Sequence, residues 1–264
     1  MYIEPAVNKF DQSANSVFHF TDKREYVEKI LLNSRISPRY VIEDMRYLNF
    51  PLFEELAIPM SCFCDIRLHS IVKHVDFYGR FGVGFKKNLI ISKGIQPIHY
   101  LNTGSMFTTD FKNELVTLLD SETSLPENNQ DYIFKKLFYI KPIDGTMRDK
   151  KMNQAVRKNF HDENEWRFIP KIVEESNFKP SIAVGGKEPI HNDNYRARLN
   201  NALSLDESMS LHFSLEDINY LFVSDDIERV KLIDFIFSEL DESENVKRIL
   251  VSKIQTIDQI KEDF

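Results

Sequence analysis

The order of apolar and polar residues along the chain predicts short strands that alternate with amphipathic helices. Apolar runs at 16–21, 58–66 and 218–224 are short and rich in aromatic or β-branched residues, which is typical of buried strands. The segments 108–120 and 225–240 instead repeat apolar residues every three or four positions, which favours helices. Short strands with intervening and trailing helices indicate an α+β, or mixed α/β, fold.

Local signals predict further elements. Asp22 and Glu25 have the spacing of a capping box, so a helix is expected to begin there and to end by Ser37, ahead of Pro38. The remaining predictions are strands at 94–102, 164–173 and 246–254, a short helix or turn at 67–75, a helix or a strand at 131–142, and a loop at 179–195 with a hairpin turn at Gly185-Gly186.

The chain has 264 residues, and we expect it to form a single domain, 1–264. Residues 1–15 are polar and contain Pro5, so they are predicted to be an N-terminal arm. The segment 121–130 (SETSLPENNQ) is the clearest loop, and it divides the core into an N-terminal part, 16–120, and a C-terminal part, 131–264.

The composition is that of a globular protein, with 42% hydrophobic and 28% charged residues. No apolar run approaches the roughly 20 residues that span a bilayer, and the N-terminus lacks a signal layout, so we expect a cytoplasmic protein with no membrane partner. Cys62 and Cys64 are too few for a disulfide framework and are expected to be buried thiols. The seven histidines are scattered without metal-site spacing, so no metal is predicted.

Charge is distributed unevenly along the chain. The net charge of −7 argues against broad nucleic-acid binding. Residues 135–158 nevertheless carry 8 basic and 2 acidic residues, whereas residues 206–264 carry 15 acidic and 6 basic residues. A basic surface for a phosphate-rich partner and an acidic surface are therefore one interpretation, and two solvated faces without partners are the other.

Two segments carry residues suited to bind a nucleotide. His19 and Thr21 share one face at the end of a predicted strand and could bind a ribose diol, although a core histidine and a helix cap would look the same. Tyr78 precedes a strand in which Gly82 and Gly84 leave one face without side chains. It could stack on a flat ring there, or the strand could simply be close-packed.

A third segment carries two carboxylates. Glu163, Glu165 and Arg167 are expected on one face of a strand, with Trp166 on the other. Two acids on one face raise the pKa of one of them, which suits proton transfer, and a carboxylate can also stabilise a sugar cation. The alternative is a surface ion pair of little energetic value.

The segments FHFT (18–21), PMSCFCDIRL (59–68), HVDFYGRFGVGF (74–85) and QPIHYLN (96–102) resemble the AbiGi family of abortive-infection, phage-resistance proteins. The resemblance is strongest over 16–102. The Glu-Trp-Arg run at 165–167 is similar to bacterial proteins with an ADP-ribosyltransferase-like fold, which implies split sheets around a cleft with flanking helices. His19, Tyr78 and Glu165, expected on three strands in chain order, would match the His–Tyr–Glu site of such enzymes.

This resemblance implies a toxin–antitoxin role in phage defence and leaves two hypotheses. In the first, the protein is an NAD-dependent ADP-ribosyltransferase toxin with a protein or nucleic-acid acceptor. Glu165 and Glu163 would be catalytic, and His19, Thr21, Tyr78 and Arg167 would bind NAD, the substrate. In the second, it is a non-catalytic antitoxin that neutralises a partner toxin through its acidic C-terminal third.

Overall fold

The protein has a mixed α+β fold, as the sequence pattern predicted. The computed structural model describes residues 14–117, 127–149, 154–172, 178–179, 181–184 and 189–263. The strands in this part of the chain are β1 Ser16–Thr21, β2 Arg35–Ile36, β3 Arg39–Asp44, β4 Glu55–Cys64, β5 Phe81–Lys86, β6 Gln96–Pro97, β7 His99–Leu101, β8 Ile140–Pro142, β9 Asp144–Asp149, β10 Gln154–Asn159, β11 Glu165–Phe168, β12 Ile182–Val184, β13 Leu211–His212, β14 Ile218–Val223 and β15 Ile254–Thr256. The helices are α1 Arg24–Asn33, α2 Ile71–Tyr78, α3 Lys87–Ser92, α4 Met106–Thr117, α5 Glu127–Lys136, α6 Asp193–Leu205, α7 Asp226–Glu239, α8 Glu244–Val251 and α9 Ile257–Asp263.

The chain divides into two compact units, each drawn from separate stretches of sequence. The first unit comprises the described residues of 1–35, 63–94 and 212–264, and the second comprises those of 36–62 and 95–211. Strand β4 contributes its last two residues to the first unit and the rest to the second. The prediction of a single domain stays a prediction.

The first unit contains a sheet in the order β15, β14, β5, β1, with the end of β4 paired to β1 at Phe18 and Cys64. Neighbouring strands are antiparallel except β14 and β15, which are parallel. One face of this sheet is covered by apolar side chains of α2 and α9, and the buried cluster includes Phe18, Ile71 and Phe222. The sheet owes its stability to this burial of apolar area.

The second unit contains the longest strand, β4, between two partners. Ala57 pairs with Ile42 of β3 and also with Ile182 of β12, so both edges of β4 are hydrogen-bonded at this point. Strand β11 neighbours β4 and β6, β7 pairs with β8 in parallel, and β9 and β10 form an antiparallel ribbon. The apolar side of β4 packs with α4 and α5 into the main core of this unit.

Several predicted elements are confirmed. Strands lie at Ser16–Thr21 and Ile218–Val223, and α4 and α7 occupy the predicted helical segments. The Asp225 side chain accepts a hydrogen bond from the Glu228 amide and so caps α7, as its acidic first turn suggested. Helix α1 ends at Asn33, within the predicted limit.

Other predictions are wrong. The segment 246–254 is mostly helix α8, which Ser243 caps, and only its end enters β15. Helix α1 begins after Lys23 without a side-chain cap, so neither Thr21 nor the Asp22–Glu25 pair starts it. The predicted loop 179–195 contains β12 and the start of α6, and 127–130 of the other loop belong to α5. Gly185-Gly186, residues 121–126 and most of the arm lie outside the described residues.

Candidate functional site

His19 and Thr21 lie in the first unit, on β1. His19 pairs with Val83 of β5, is half-buried, and its ring centroid lies 5.6 Å from that of Phe63. Thr21 is the last residue of the strand and pairs with Phe81. Both residues are on a strand, as predicted, and their proposed contact with a ribose stays a prediction.

Tyr78 also lies in the first unit, but it is the last residue of helix α2 and not a strand residue. The expectation that His19, Tyr78 and Glu165 occupy three strands is therefore wrong for Tyr78. Its ring centroid lies 4.5 Å from that of His74 and 5.0 Å from that of Phe77. The Tyr78 ring thus already has aromatic neighbours within its own helix.

The glycines of β5 make room for aromatic rings of the neighbouring strand. A Cβ atom on Gly82 would lie 2.6 Å from Cδ1 of Phe20, and one on Gly84 would lie 2.9 Å from Cδ1 of Phe18. Both distances are too short for real contacts. The face without side chains is therefore filled by the protein, which confirms the close-packed alternative for this strand.

The carboxylates of Glu163 and Glu165 come together in the second unit. They do so although the two residues do not lie on the same strand, contrary to the prediction. Only Glu165 begins β11, while Glu163 ends a 3₁₀ turn and Asn164 between them adopts a left-handed φ of 42°. Both side chains nevertheless reach the same ammonium group. The Nζ atom of Lys141 lies 3.1 Å from Oε2 of Glu163 and 3.0 Å from Oε2 of Glu165.

Arg167 completes this arrangement. Its guanidinium has no exposed surface, and it donates to Oε1 of Glu165 at 2.7 Å and to the carbonyl oxygen of Phe138 at 2.8 Å. A further nitrogen lies 3.1 Å from Oε1 of Glu43. Lys158 forms an ion pair with Glu163 at 2.7 Å. We call these six residues the charge cluster: Glu43, Lys141, Lys158, Glu163, Glu165 and Arg167.

The charge cluster contains three carboxylates and three cations, so its formal charges balance. Glu163 and Glu165 are 4% and 5% exposed, which makes the alternative of a surface ion pair wrong. Isolated charges would be costly at this depth, and they are tolerated because each one lies within ion-pairing distance of an opposite charge. Tyr100 adds to the network, because its hydroxyl oxygen accepts a hydrogen bond from the Glu165 amide at 2.7 Å.

The electrostatics of the charge cluster keep Glu165 ionised. Burial alone would raise the pKa of Glu165, but Arg167 and Lys141 outweigh it and hold that pKa well below its usual range. For Arg167, burial opposes the charge, and the carboxylates of Glu165 and Glu43 nevertheless raise its pKa. Burial also raises the pKa of the Cys62 thiol, and the Glu165 carboxylate adds to that shift. A raised pKa was predicted for one of the two acids, and Glu165 is not that acid.

These contacts limit the chemistry of Glu165. One carboxylate oxygen accepts from Arg167, and the other accepts from Lys141 and lies 3.4 Å from a second Arg167 nitrogen. A group with a lowered pKa and both oxygens engaged is a poor proton donor at neutral pH. As it stands, the arrangement holds β11 to the segments that carry Glu43 and Lys141.

Lys141, Lys158 and Glu43 carry only weak signals in the sequence and are not among the predicted site residues. Lys141 stands in the otherwise apolar stretch LFYIKP (137–142), and a lone lysine in such a stretch requires an anionic partner once it is buried. Its partners Glu163 and Glu165 lie 22 and 24 residues further along the chain, so the local sequence pattern could not identify them.

The basic stretch 135–158 does not present a uniform basic surface in its described part. Lys141 and Lys158 belong to the charge cluster. Lys135 forms an ion pair with Asp131, and Arg157 forms one with Asp144. Lys150 and Lys151 lie outside the described residues. Four of its cations are therefore already neutralised by carboxylates.

The predicted site residues thus divide between the two units. Glu163, Glu165 and Arg167 lie together in the second unit, and His19, Thr21 and Tyr78 belong to the first. The convergence of His19, Tyr78 and Glu165 around NAD stays a prediction. Within the described ranges, no group of histidine, cysteine, aspartate and glutamate side chains is arranged to hold a metal ion, and no helix is long and apolar enough to cross a bilayer.

Comparison with known proteins gives a consistent result. A sequence model of the abortive phage resistance protein AbiGi, described as an antitoxin, matches residues 34–224. The chain is also 35% identical over 250 residues to the abortive phage resistance protein AbiGi of Lactococcus lactis subsp. cremoris. The aligned region covers 86% of this chain and 98% of the relative. No solved structure matches the chain at a significant level.

Proposed function

Because the chain belongs to the AbiGi family of abortive phage resistance proteins, we propose that it acts as an antitoxin that binds and neutralises a partner toxin. The family description as an antitoxin supports this role. The engagement of both Glu165 oxygens by Arg167 and Lys141 supports it too, since a binding protein needs no free catalytic carboxylate.

An exposed face of helix α7 carries the proposal. Ile227, Val230, Asp234 and Phe237 follow one another at three or four positions, so they form one stripe along the helix, which we call the α7 face. The three apolar members are 70%, 57% and 39% exposed. Exposed apolar side chains arranged in a stripe are typical of a protein interface, whereas single ones are ordinary.

The surroundings of the α7 face indicate the chemistry of the partner. The exposed acids Glu239, Asp241 and Glu242 follow the stripe along the chain. Residues 206–264 as a whole hold 15 acidic and 6 basic residues. We therefore expect a toxin with a basic surface around an apolar centre, because complementary charge speeds association and apolar contact supplies affinity.

A growth experiment tests this proposal. The chain is co-expressed with the product of the gene adjacent to its own, and the wild type should restore growth that this product slows. Val230→Lys places a cation in the α7 face against a basic partner, so we expect rescue to fail and the dissociation constant of the purified pair to rise by at least about tenfold, or about 1.4 kcal/mol.

Leu205→Lys is the matched control. Leu205 is 74% exposed at the end of α6 in the second unit, so an exposed aliphatic side chain is again replaced by lysine, but at a residue that is not part of the α7 face. This variant should rescue growth as the wild type does. Equal rescue by Val230→Lys and by the wild type would count against the α7 face as the binding surface.

A second candidate function is an NAD-dependent ADP-ribosyltransferase with the corresponding split-sheet fold. One observation favours it: Glu163 and Glu165 bring their carboxylates together at a single ammonium group, and a pair of carboxylates is the recurring feature of glycosyl-transfer sites. Catalysis would require Glu165 to leave Arg167 or Lys141 so that one oxygen could reach a ribose.

Purified protein tests the second candidate directly. Release of nicotinamide from NAD, or transfer of ADP-ribose to a protein or nucleic acid, would support the transferase, and its absence would support the antitoxin. Glu165→Gln is an ambiguous probe, because the amide leaves Arg167 and Lys141 with less negative charge in a buried site and so also lowers stability. His19→Ala, at a half-buried position of the first unit, is the better probe of NAD binding.

A further inference from the structure

A cavity of about 620 Å³ lies within the second unit, between helices α4 and α5 and the strands β6 to β8. Its volume is in the range of small-molecule sites. Leu101, Phe111 and Ile140 are buried and form its apolar interior. None of the residues proposed above for NAD or toxin binding lines this cavity.

Aromatic rings at the mouth of the cavity face solvent. Phe107 of α4 and Tyr132 of α5 both line the cavity and are 63% and 64% exposed. Large aromatic side chains are costly to leave in water, and rings that border a cavity can stack on the flat face of a ligand. The mouth is therefore suited to a molecule with a planar ring.

A cation stands beside these rings. The Nζ atom of Lys136 lies 4.7 Å from the ring centroid of Tyr132 and 5.9 Å from that of Phe111. Its neighbour Lys135 is paired with Asp131, whereas Lys136 has no carboxylate partner in the part of the chain that the structure describes. An ammonium group without a carboxylate at the edge of an aromatic cavity is suited to bind an anion.

Polar side chains on the strand side complete the lining. Gln96 of β6 and His99 of β7 can donate and accept hydrogen bonds within the same cavity. A mainly apolar and aromatic lining with a few convergent polar groups is typical of a site for a small ligand. A protein segment would need a longer apolar groove than this cavity offers.

We propose that this cavity binds a mononucleotide, whose base stacks on Phe107 and Tyr132 and whose phosphate meets Lys136. Gln96 and His99 face the ligand's polar edges. The two ring systems account for affinity toward a planar base, and the cation accounts for selection of a phosphorylated ligand over the free nucleoside. This inference does not depend on the antitoxin proposal, because it concerns residues of a different unit from the α7 face.

Titration calorimetry of the full chain tests the proposal. The ligands are the common ribonucleoside monophosphates, each titrated separately, with adenosine and inorganic phosphate as further arms. At least one nucleotide should bind, and the nucleoside and the phosphate alone should bind about tenfold more weakly or not at all, since each keeps only part of the contacts.

Two variants locate the site. Lys136→Gln removes the cation and Phe107→Ala removes one exposed ring, and each should weaken nucleotide binding about tenfold. Both positions are partly or largely exposed, so the variants should fold, as circular dichroism would verify. As controls, Lys112→Gln removes a cation and Val116→Ala shortens an exposed apolar side chain at α4 positions that do not line the cavity, and both variants should bind as the wild type does.

Three results would overturn the proposal. The first is that no nucleotide binds the wild type, including the case in which only an apolar dye enters the cavity. The second is that Lys136→Gln and Phe107→Ala both bind as tightly as the wild type. The third is that inorganic phosphate binds as tightly as the best nucleotide, which would indicate an anion site without a base-stacking surface.

Discussion

Arg167 has no exposed surface, and its guanidinium lies between the carboxylates of Glu43 and Glu165. A buried ion pair contributes little net stability relative to an apolar pair, but breaking one partner of it is expensive. Removal of Arg167 would leave two carboxylates buried with less positive charge, while Lys141 would remain beside Glu165. The residue is therefore expected to be required for the stability of the second unit.

We expect Arg167→Met to lower the free energy of unfolding by about 3–5 kcal/mol. Urea-induced unfolding followed by the fluorescence of Trp166 measures this, because Trp166 is the one tryptophan in the sequence and lies in β11 between Glu165 and Arg167. Arg157→Met is the control, since the Arg157 side chain is 82% exposed in its pair with Asp144 and should change stability by less than about 1 kcal/mol. A similar small change in both variants would contradict the structural role of Arg167.

At the scale of elements, β5 is fitted to β1 by its glycines. Phe20 pairs with Gly82 and Phe18 with Gly84, so each ring covers the backbone position directly opposite it. The absence of a side chain at these two positions leaves room for the rings of β1 to lie close to β5. The glycine spacing therefore reflects packing within this sheet.

A Gly82→Ala substitution tests the fit of the two strands. The new Cβ would lie 2.6 Å from Phe20 Cδ1 and 2.7 Å from the His19 carbonyl oxygen, and the second contact is with backbone that cannot rotate away. We expect a loss of about 1–3 kcal/mol in thermal or urea unfolding followed by circular dichroism. Gly104→Ala is the control, because its nearest neighbour would be Asn102 Oδ1 at 3.7 Å. Equal stability of the two variants would show that β1 and β5 can accommodate a methyl group at position 82, which would contradict the proposed fit.

At the scale of the whole molecule, acid should destabilise the protein through the charge cluster. The pKa of Glu165 is lower in the folded state than its usual value of 4.5, so in the interval between the two values the unfolded chain binds a proton that the folded chain does not. The stability that the ionised Glu165 contributes is therefore fully present at pH values above its usual pKa of 4.5, and it is lost as the pH falls from there toward the lowered pKa of the folded state.

We expect the free energy of unfolding to decrease from about pH 5 downward, by up to about 1.4 kcal/mol per pH unit from this group. Urea unfolding of the wild type at a series of pH values, read by Trp166 fluorescence, measures the slope. Glu165→Gln should have a shallower slope, and Glu239→Gln, at an exposed position of α7, should keep that of the wild type. The same acid slope in all three proteins would contradict the lowered pKa.

The local sequence pattern predicted an element correctly where the residues that determine the element lie within it or next to it. The apolar run at 218–224 and the Asp225 cap predicted β14 and α7, because burial of a short β-branched strand and satisfaction of helix amides are local effects. Pattern failed at 246–254, where a short apolar run suits a helix and a strand equally and Ser243 caps α8. The glycines of β5 were equally ambiguous, since their function depends on rings in β1.

The sequence by itself therefore determined the mixed α+β class, the concentration of acidic residues in the last third and the resemblance to the AbiGi family, because composition and local periodicity carry these properties. Only the tertiary structure decided that Glu163 and Glu165 are buried and paired with Lys141 and Arg167. It alone brought α4, α5 and three short strands together around a cavity. The physical reason is that burial and ion pairing depend on side chains that are distant in sequence and become neighbours only when the chain has folded.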